Sequence, residues 1–156
     1  MNPAWTGAPV SAHFVNNVLA AAASYIEDDP EHARDVLAEL GQFLAYRLRD
    51  APSPMPASQE LAHVATYFRL QQARFPDRIE ADLSQASGGS SQRVLPGTLQ
   101  RAVSEALGRR LSEHSGPCRV VLRAAGEDFE LELSAPDGGG AERLAIALIK
   151  VEGVLP

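Results

Sequence analysis

QELAHVATYFRLQQARFPDRIE, residues 59–80, is where the chain changes character. Leu61, Val64, Phe68 and Gln71 recur at steps of three or four, which predicts a helix opening near Pro56 or Ala57 and ending near Arg74. Directly after it Ile79, Ala81 and Leu83 alternate with polar residues, the period of a short strand. Residues before this stretch read as helix, and residues beyond it mix strands with helices. The fold class expected is therefore α+β.

Upstream, the Ala51-Pro52-Ser53-Pro54 segment is a break, and two helices lie before it. Pro9 and Ser11 suit the start of the first, which runs to about Glu27. Its apolar residues form two stripes, Val10, Phe14, Val18, Ala21, Tyr25 and Val15, Leu19, Ala22, Ile26. The remaining face carries His13, Asn17, Ala20 and Ser24, so His13 is expected to point away from the core with Asn17, one turn on, in reach to orient it. Asp29 is a good N-cap for the second helix, with Pro30 at its first position and Glu31 in its first turn. That helix is predicted to run to about Arg49 with one stripe of Val36, Leu37, Leu40, Phe43, Leu44 and Leu48. The short link between the two forces an antiparallel hairpin, and stripes this broad cannot cover each other. A dimeric four-helix bundle, built by an isologous interface between two copies, is the economical solution, so a homodimer is expected. The implied organisation is a helical hairpin over residues 1–53 and a second unit over residues 54–156.

Downstream, SQASGGSSQ at residues 84–92 reads as a loop, and Pro96 opens a helix with Leu99, Ala102, Val103, Ala106, Leu107 and Leu111 apolar. Two strands are predicted at residues 119–123 and 129–133, joined by a turn around Gly126. The second alternates strictly, with Phe129, Leu131 and Leu133 facing in and Glu130 and Glu132 facing out. After the Gly138-Gly139-Gly140 turn, residues 141–150 are predicted to form a last short helix.

Composition narrows the function classes. A formal net charge of −6 argues against nucleic acid, whose phosphates demand clustered Lys and Arg. The N-terminal residues lack the cationic and apolar pattern of a signal peptide, and nothing approaches the roughly 20 apolar residues of a membrane span. A cytoplasmic protein with no membrane contact is expected. Cys118 cannot pair within the chain and reads as a small buried hydrophobe. His32 and His114 read as solvated and His63 as partly packed, and no spacing suggests a metal site. Arg47 and Arg49 read as a solvated helix end, with contact to an acidic partner the alternative.

The order of segments resembles the LytS-type sensor histidine kinases, whose core joins a dimerising histidine helix pair to an ATP-binding domain of the type shared with gyrase. Ala12-His13-Phe14-Val15-Asn16-Asn17 is similar to the family's Pro-His-Phe-Leu-Phe-Asn string at the histidine, the phenylalanine and the final asparagine. LGQFLAYRLR, residues 40–49, resembles its Leu-Ser-x-Leu-Leu-Arg-Tyr-x-Leu string. Residues 59–80 carry the most specific match, with Glu60, Tyr67, Gln71, Arg74, Phe75, Asp77 and Arg78 in register. Three ordered matches are strong where one is weak.

The resemblance also shows departures. The family's Gln-Pro-Leu-Val-Glu-Asn-Ala helix supplies an asparagine to the magnesium of ATP, whereas counting on from Gln100 puts Ser104 at the glutamate and Glu105 at the asparagine. Its Asp-Asn-Gly-x-Gly motif, whose aspartate reads adenine, meets Ala135 and Pro136 in register, and only a slide of two residues brings in Asp137. The glycine-rich lid has no counterpart. The second unit is thus expected to be a degenerate, truncated sandwich of the gyrase-type ATPase class. Glu105 and Asp137 would be its degenerate nucleotide-contact positions, and no ATP, magnesium or other cofactor is expected.

By this resemblance His13 is the candidate phospho-acceptor and Asn17 its orienting residue. An exposed imidazole with a free ring nitrogen can attack a phosphoryl group in line. The expected function is two-component signalling by a pseudo histidine kinase. It either relays a phosphoryl group between His13 and a response-regulator aspartate or docks a response regulator or sensor kinase without chemistry. The alternatives are an active ATP-dependent kinase with an unusual pocket, and a pure interaction protein that pairs with a full-length kinase.

Overall fold

The computed structural model describes residues 11–48, 53–87 and 93–148. Pro9, Val10, Arg49 and residues 88–92 of the 84–92 loop lie outside the described residues. Helix α1 (Ala12–Tyr25) is capped by Ser11, whose hydroxyl accepts the Phe14 N–H at 3.4 Å. Helix α2 (Pro30–Arg47) is capped by Asp29, which accepts the His32 N–H at 3.0 Å. Both caps are those expected from the sequence. Strand β1 (Met55–Pro56) leads into α3 (Ala57–Arg74).

Helix α3 is buried on nearly every side, far beyond the single stripe of its apolar residues. It runs antiparallel to α2, with Glu39 bonded to Arg69 at 2.5 Å near one end and Tyr46 bonded to Glu60 near the other. It also meets α1, where the Tyr25 hydroxyl donates to the Ala73 carbonyl at 3.0 Å. The inner face of the hairpin is therefore closed by α3. Leu19, Ile26, Leu37 and Leu48 are left exposed, at 43%, 57%, 45% and 69%. Val18, Val36, Leu40 and Phe43 are buried as predicted. The reading of Arg47 as a solvated helix end is corrected, because its side chain is buried; burial lowers its pKa, with Glu60 and Tyr46 opposing.

Beyond α3 come β2 (Ile79–Asp82), β3 (Arg93–Val94), α4 (Thr98–Glu113), β4 (Cys118–Ala125), β5 (Asp128–Ser134) and β6 (Glu142–Ile146). The four-stranded sheet has the order β2-β4-β5-β6. Strand β2 pairs parallel with β4, and α4 is the crossover that a parallel pair needs. The remaining pairs are antiparallel, and Gly126 turns β4 into β5 at φ 64°. Cys118, Val120, Leu122, Phe129, Leu131 and Leu133 are buried in the core that α3 and α4 share. The other face is laced with ion pairs, including Arg123–Glu132 at 3.1 Å and Arg143–Glu132 at 2.9 Å. The mixed α+β class is as expected.

The helix predicted over residues 141–150 is a correction. Glu142–Ile146 is instead the edge strand β6, with Leu144 opposite Leu131 and Ile146 opposite Phe129. Alanine, leucine and glutamate favour helix locally. Pairing with the open edge of β5 buries Ile146 and places Arg143 opposite Glu132, and that tertiary gain prevails over propensity.

Strand β1 pairs antiparallel with β3, Met55 opposite Val94, so the N-termini of α3 and α4 lie side by side. Glu60 is fully buried at that junction. Its carboxyl oxygens accept N–H bonds from Gly97 at 3.0 Å, Leu99 at 3.1 Å and Gln100 at 3.3 Å, and the hydroxyl of Tyr46. Gly97 is the N-cap of α4 at φ 84°, a conformation a Cβ would strain. An acidic side chain from α3 thus caps another helix and ties in α2 as well.

Candidate functional site

The first turn of α1 is held by Phe14. Its ring lies 5.3 Å from Phe43 of α2 and 6.0 Å from Tyr67 of α3, so it wedges into the seam of all three helices. The residue before it must then point outward, and His13 is exposed. The Asn17 amide nitrogen stands 3.0 Å from His13 Nε2. With the amide nitrogen as donor, this contact suits the tautomer in which Nε2 accepts and Nδ1 carries the ring proton. In that tautomer the Nε2 lone pair is the nucleophilic one, and it is engaged by Asn17 until that bond opens.

Beside this pair a concavity of about 410 Å³ is lined by Asn17, Ala21, Arg74 and Phe75. Arg74 is fixed from behind by neutral groups. Its Nη1 donates to Gln71 Oε1 at 2.9 Å, and Gln71 Nε2 donates to the Tyr67 hydroxyl at 2.8 Å. The guanidinium carbon lies 4.8 Å from the Phe75 ring centre and 5.5 Å from that of Phe14. Burial lowers the pKa of Arg74, with Tyr67 opposing, and burial raises that of Tyr67.

Glu105 is exposed on α4 and pairs with Arg101 at 3.0 Å, one helical turn back. Asp137 lies in the β5–β6 turn, where its Oδ1 accepts the Gly139 N–H at 2.8 Å. That turn is closed by Ala135 N–H to Gly139 O at 2.9 Å and held to α4 by Arg110, which donates to Gly140 O at 2.9 Å. Among the described residues no hydrogen bond or ion pair joins Glu105 to Asp137, and no cluster of side chains suits a metal ion. No described helix is long and apolar enough to cross a membrane.

His63, expected to be partly packed, is buried between aromatic rings, 3.7 Å from Tyr46 and 4.8 Å from Phe43 by ring centres. Burial, with the Arg47 charge adding to it, pushes its pKa down to about 3, while Gln100 works the other way. His32 is half-buried, edge-on to Tyr25, and His114 is exposed. Cys118 is buried, and burial raises its thiol pKa.

Residues 6–79 match the family model described as Histidine kinase. The sensor protein LytS of Enterococcus faecalis is 30% identical over 137 residues, which covers 85% of this chain and 23% of that protein. LytS of Bacillus subtilis is 28% identical over 133 residues, 85% of this chain and 22% of that protein. The sensor histidine kinase BtsS of Escherichia coli K12 is 28% identical over 133 residues, 85% and 24%. The chain is a relative of the LytS-type histidine kinases. It spans about a quarter of the length of the curated relatives it matches.

Among the LytS-type matches, the histidine string lies on α1 and the described part of the second string on α2 and its cap, while the Glu60 to Arg78 string covers most of α3 and the turn before β2. The structure gives separate tasks to residues that the sequence grouped only by resemblance. Glu60 caps α4, Gln71 and Arg74 extend a polar chain from Tyr67, and Arg78 donates to the carbonyls of Leu111 and His114 at the far end of α4. Sequence reasoning assigned Arg74 no role. The signal available was an arginine in the last turn of a helix, directly before Phe75, but only the tertiary packing brings it to Phe14 and the Asn17 face.

Proposed function

We propose that this chain is a two-component signalling protein that handles a phosphoryl group at His13 and does not generate one from ATP. The observation that carries this reading is the exposed His13 imidazole with Asn17 bonded to its Nε2. In the relay, the Asn17 bond to Nε2 opens and the freed Nε2 lone pair of His13 attacks the phosphorus of an aspartyl phosphate on a response regulator. The Nε2–P bond forms, the P–O bond to the aspartate breaks, and the carboxylate leaves. The Nδ1 proton can then pass to water, and the reverse path returns the group.

Support for the loss of ATP use comes from the positions that the resemblance gives to the nucleotide. Glu105 is engaged by Arg101 and Asp137 by its own turn. Strand β5 passes to β6 through a short closed turn, which leaves no lid segment between them. This donor set does not fit a magnesium triphosphate. The sheet with α3 and α4 is read as a reduced sandwich of the gyrase ATPase class, residues 54–156, behind a histidine hairpin, residues 1–53, in a cytoplasmic protein.

The hairpin is read as half of a four-helix bundle. Leu19, Ile26, Leu37 and Leu48 are large apolar side chains on α1, α2 and their caps that α3 leaves open, and a second copy of the chain would cover them. The same faces support docking without chemistry as the second reading. The test is mass spectrometry of the intact chain after incubation with phosphorylated receiver domains. A phosphoryl adduct on His13, absent from His13→Ala, supports the relay. Co-elution with a receiver and no adduct supports docking.

A further inference from the structure

The geometry points to Arg74 as the residue that holds the phosphoryl group carried on His13, with the concavity between Asn17 and Phe75 as an oxyanion-binding site. This rests on the reading of His13 as the phosphoryl carrier. The site is built from neutral supports. Gln71 Oε1 fixes Arg74 Nη1, the Tyr67 hydroxyl accepts from Gln71, and the rings of Phe14 and Phe75 flank the guanidinium. Among the described residues no carboxylate pairs with Arg74, whereas Arg69, Arg101, Arg109, Arg119, Arg123 and Arg143 each meet one.

A guanidinium without a counter-ion, partly desolvated and oriented by its neighbours, is arranged to receive an anion rather than to stabilise the fold by pairing. Asn17 lines the same concavity, and its side-chain nitrogen stands 3.0 Å from the nitrogen that takes the phosphoryl group. Once Nε2 is bonded to phosphorus, Nε2 no longer accepts from Asn17. The amide N–H is then free to donate to a phosphoryl oxygen, and the Arg74 fork supplies the opposite charge. The ligand class is a tetrahedral phosphoryl dianion, recognised by one amide and one guanidinium.

The experiment uses the full chain and two probes. Inorganic phosphate is titrated while the Arg74 Nε–H and Asn17 side-chain amide resonances are followed by NMR. Phosphoramidate is then supplied as a donor, and the lifetime of phosphohistidine is read by phosphorus NMR. In that reaction Nε2 bonds to phosphorus, the P–N bond breaks and ammonia leaves. Phosphate should shift both resonances, and Arg74→Gln should weaken its binding and shorten the phosphohistidine lifetime by roughly three- to tenfold. Arg74→Lys, which keeps the charge and loses the fork, should recover part of each, and circular dichroism checks that each variant is folded. Unshifted resonances together with equal lifetimes in the wild type and Arg74→Gln overturn the site. If phosphate shifts both resonances but His13 takes no phosphoryl group from phosphoramidate, the anion site stands and the reading of His13 fails.

Discussion

Glu60 and Arg78 bracket α4. The carboxyl of Glu60 accepts the N–H groups of Gly97, Leu99 and Gln100 at one end, and the guanidinium of Arg78 donates to Leu111 O at 3.3 Å and His114 O at 2.7 Å at the other. An acid at the N-terminus and a base at the C-terminus each complement the helix dipole and satisfy groups with no partner inside the helix. Both come from the stretch containing α3 and the turn after it. The docking of α4 is thereby coupled to α3, and through Tyr46 to the histidine hairpin.

Glu60→Ala is predicted to destabilise the fold by roughly 3–5 kcal/mol, because it leaves buried N–H groups and the Tyr46 hydroxyl without their acceptor. Arg78→Met should cost less, about 1–2 kcal/mol, since the carbonyls it serves reach toward solvent. The two sites are separated by α4, about 24 Å at 1.5 Å per residue, so their effects should add. Urea unfolding of both single variants and the double variant checks this.

His63 predicts acid lability. Its folded pKa of about 3 lies below the usual 6.5, so the unfolded chain binds the proton more readily between those values. The neutral buried ring therefore contributes stability that is fully present above pH 6.5 and is lost as pH falls toward 3. The slope should approach about 1.3 kcal/mol per pH unit in the middle of that window. His63→Phe, which can still stack between Phe43 and Tyr46, should flatten the urea midpoint between pH 6 and 4. An unchanged slope in that variant would assign the lability to other groups.

The exposed apolar side chains predict self-association. Leu37→Glu combined with Ile26→Glu should convert a dimer to a monomer in light scattering while helical content is retained, because both residues are already solvent-exposed in the single chain. A wild-type chain that is monomeric at high micromolar concentration would contradict the bundle.

The four helices and three of the six described strands, β2, β4 and β5, were legible in the sequence because they rest on local signals, whereas the two-residue strands β1 and β3 carry no local pattern. Ser11, Asp29 and Pro30 marked starts, and Phe129, Leu131 and Leu133 alternated. Strand β6 was not legible, since residues 142–146 are strand only by virtue of the β5 edge beside them. The single stripe read on α3 also understated its burial. Glu60 and Thr66 are polar and lie off that stripe, and they are buried because α3 lies between the hairpin and the second layer. For the site, the spacing of His13 and Asn17 gave their proximity directly. Arg74 could not be placed, because its approach to Phe14 and the Asn17 face depends on how α3 packs across α1.

The central claim is that His13 receives its phosphoryl group from a receiver domain and not from ATP. The most direct measurement is a labelling assay that offers the chain, in parallel, γ-labelled ATP with magnesium and the labelled, phosphorylated receiver domains of its own genome, with His13→Ala beside each. The account predicts acid-labile label on the wild-type chain from at least one receiver, none from ATP and none on the alanine variant. Label from ATP on His13, or no label from any receiver, would contradict it.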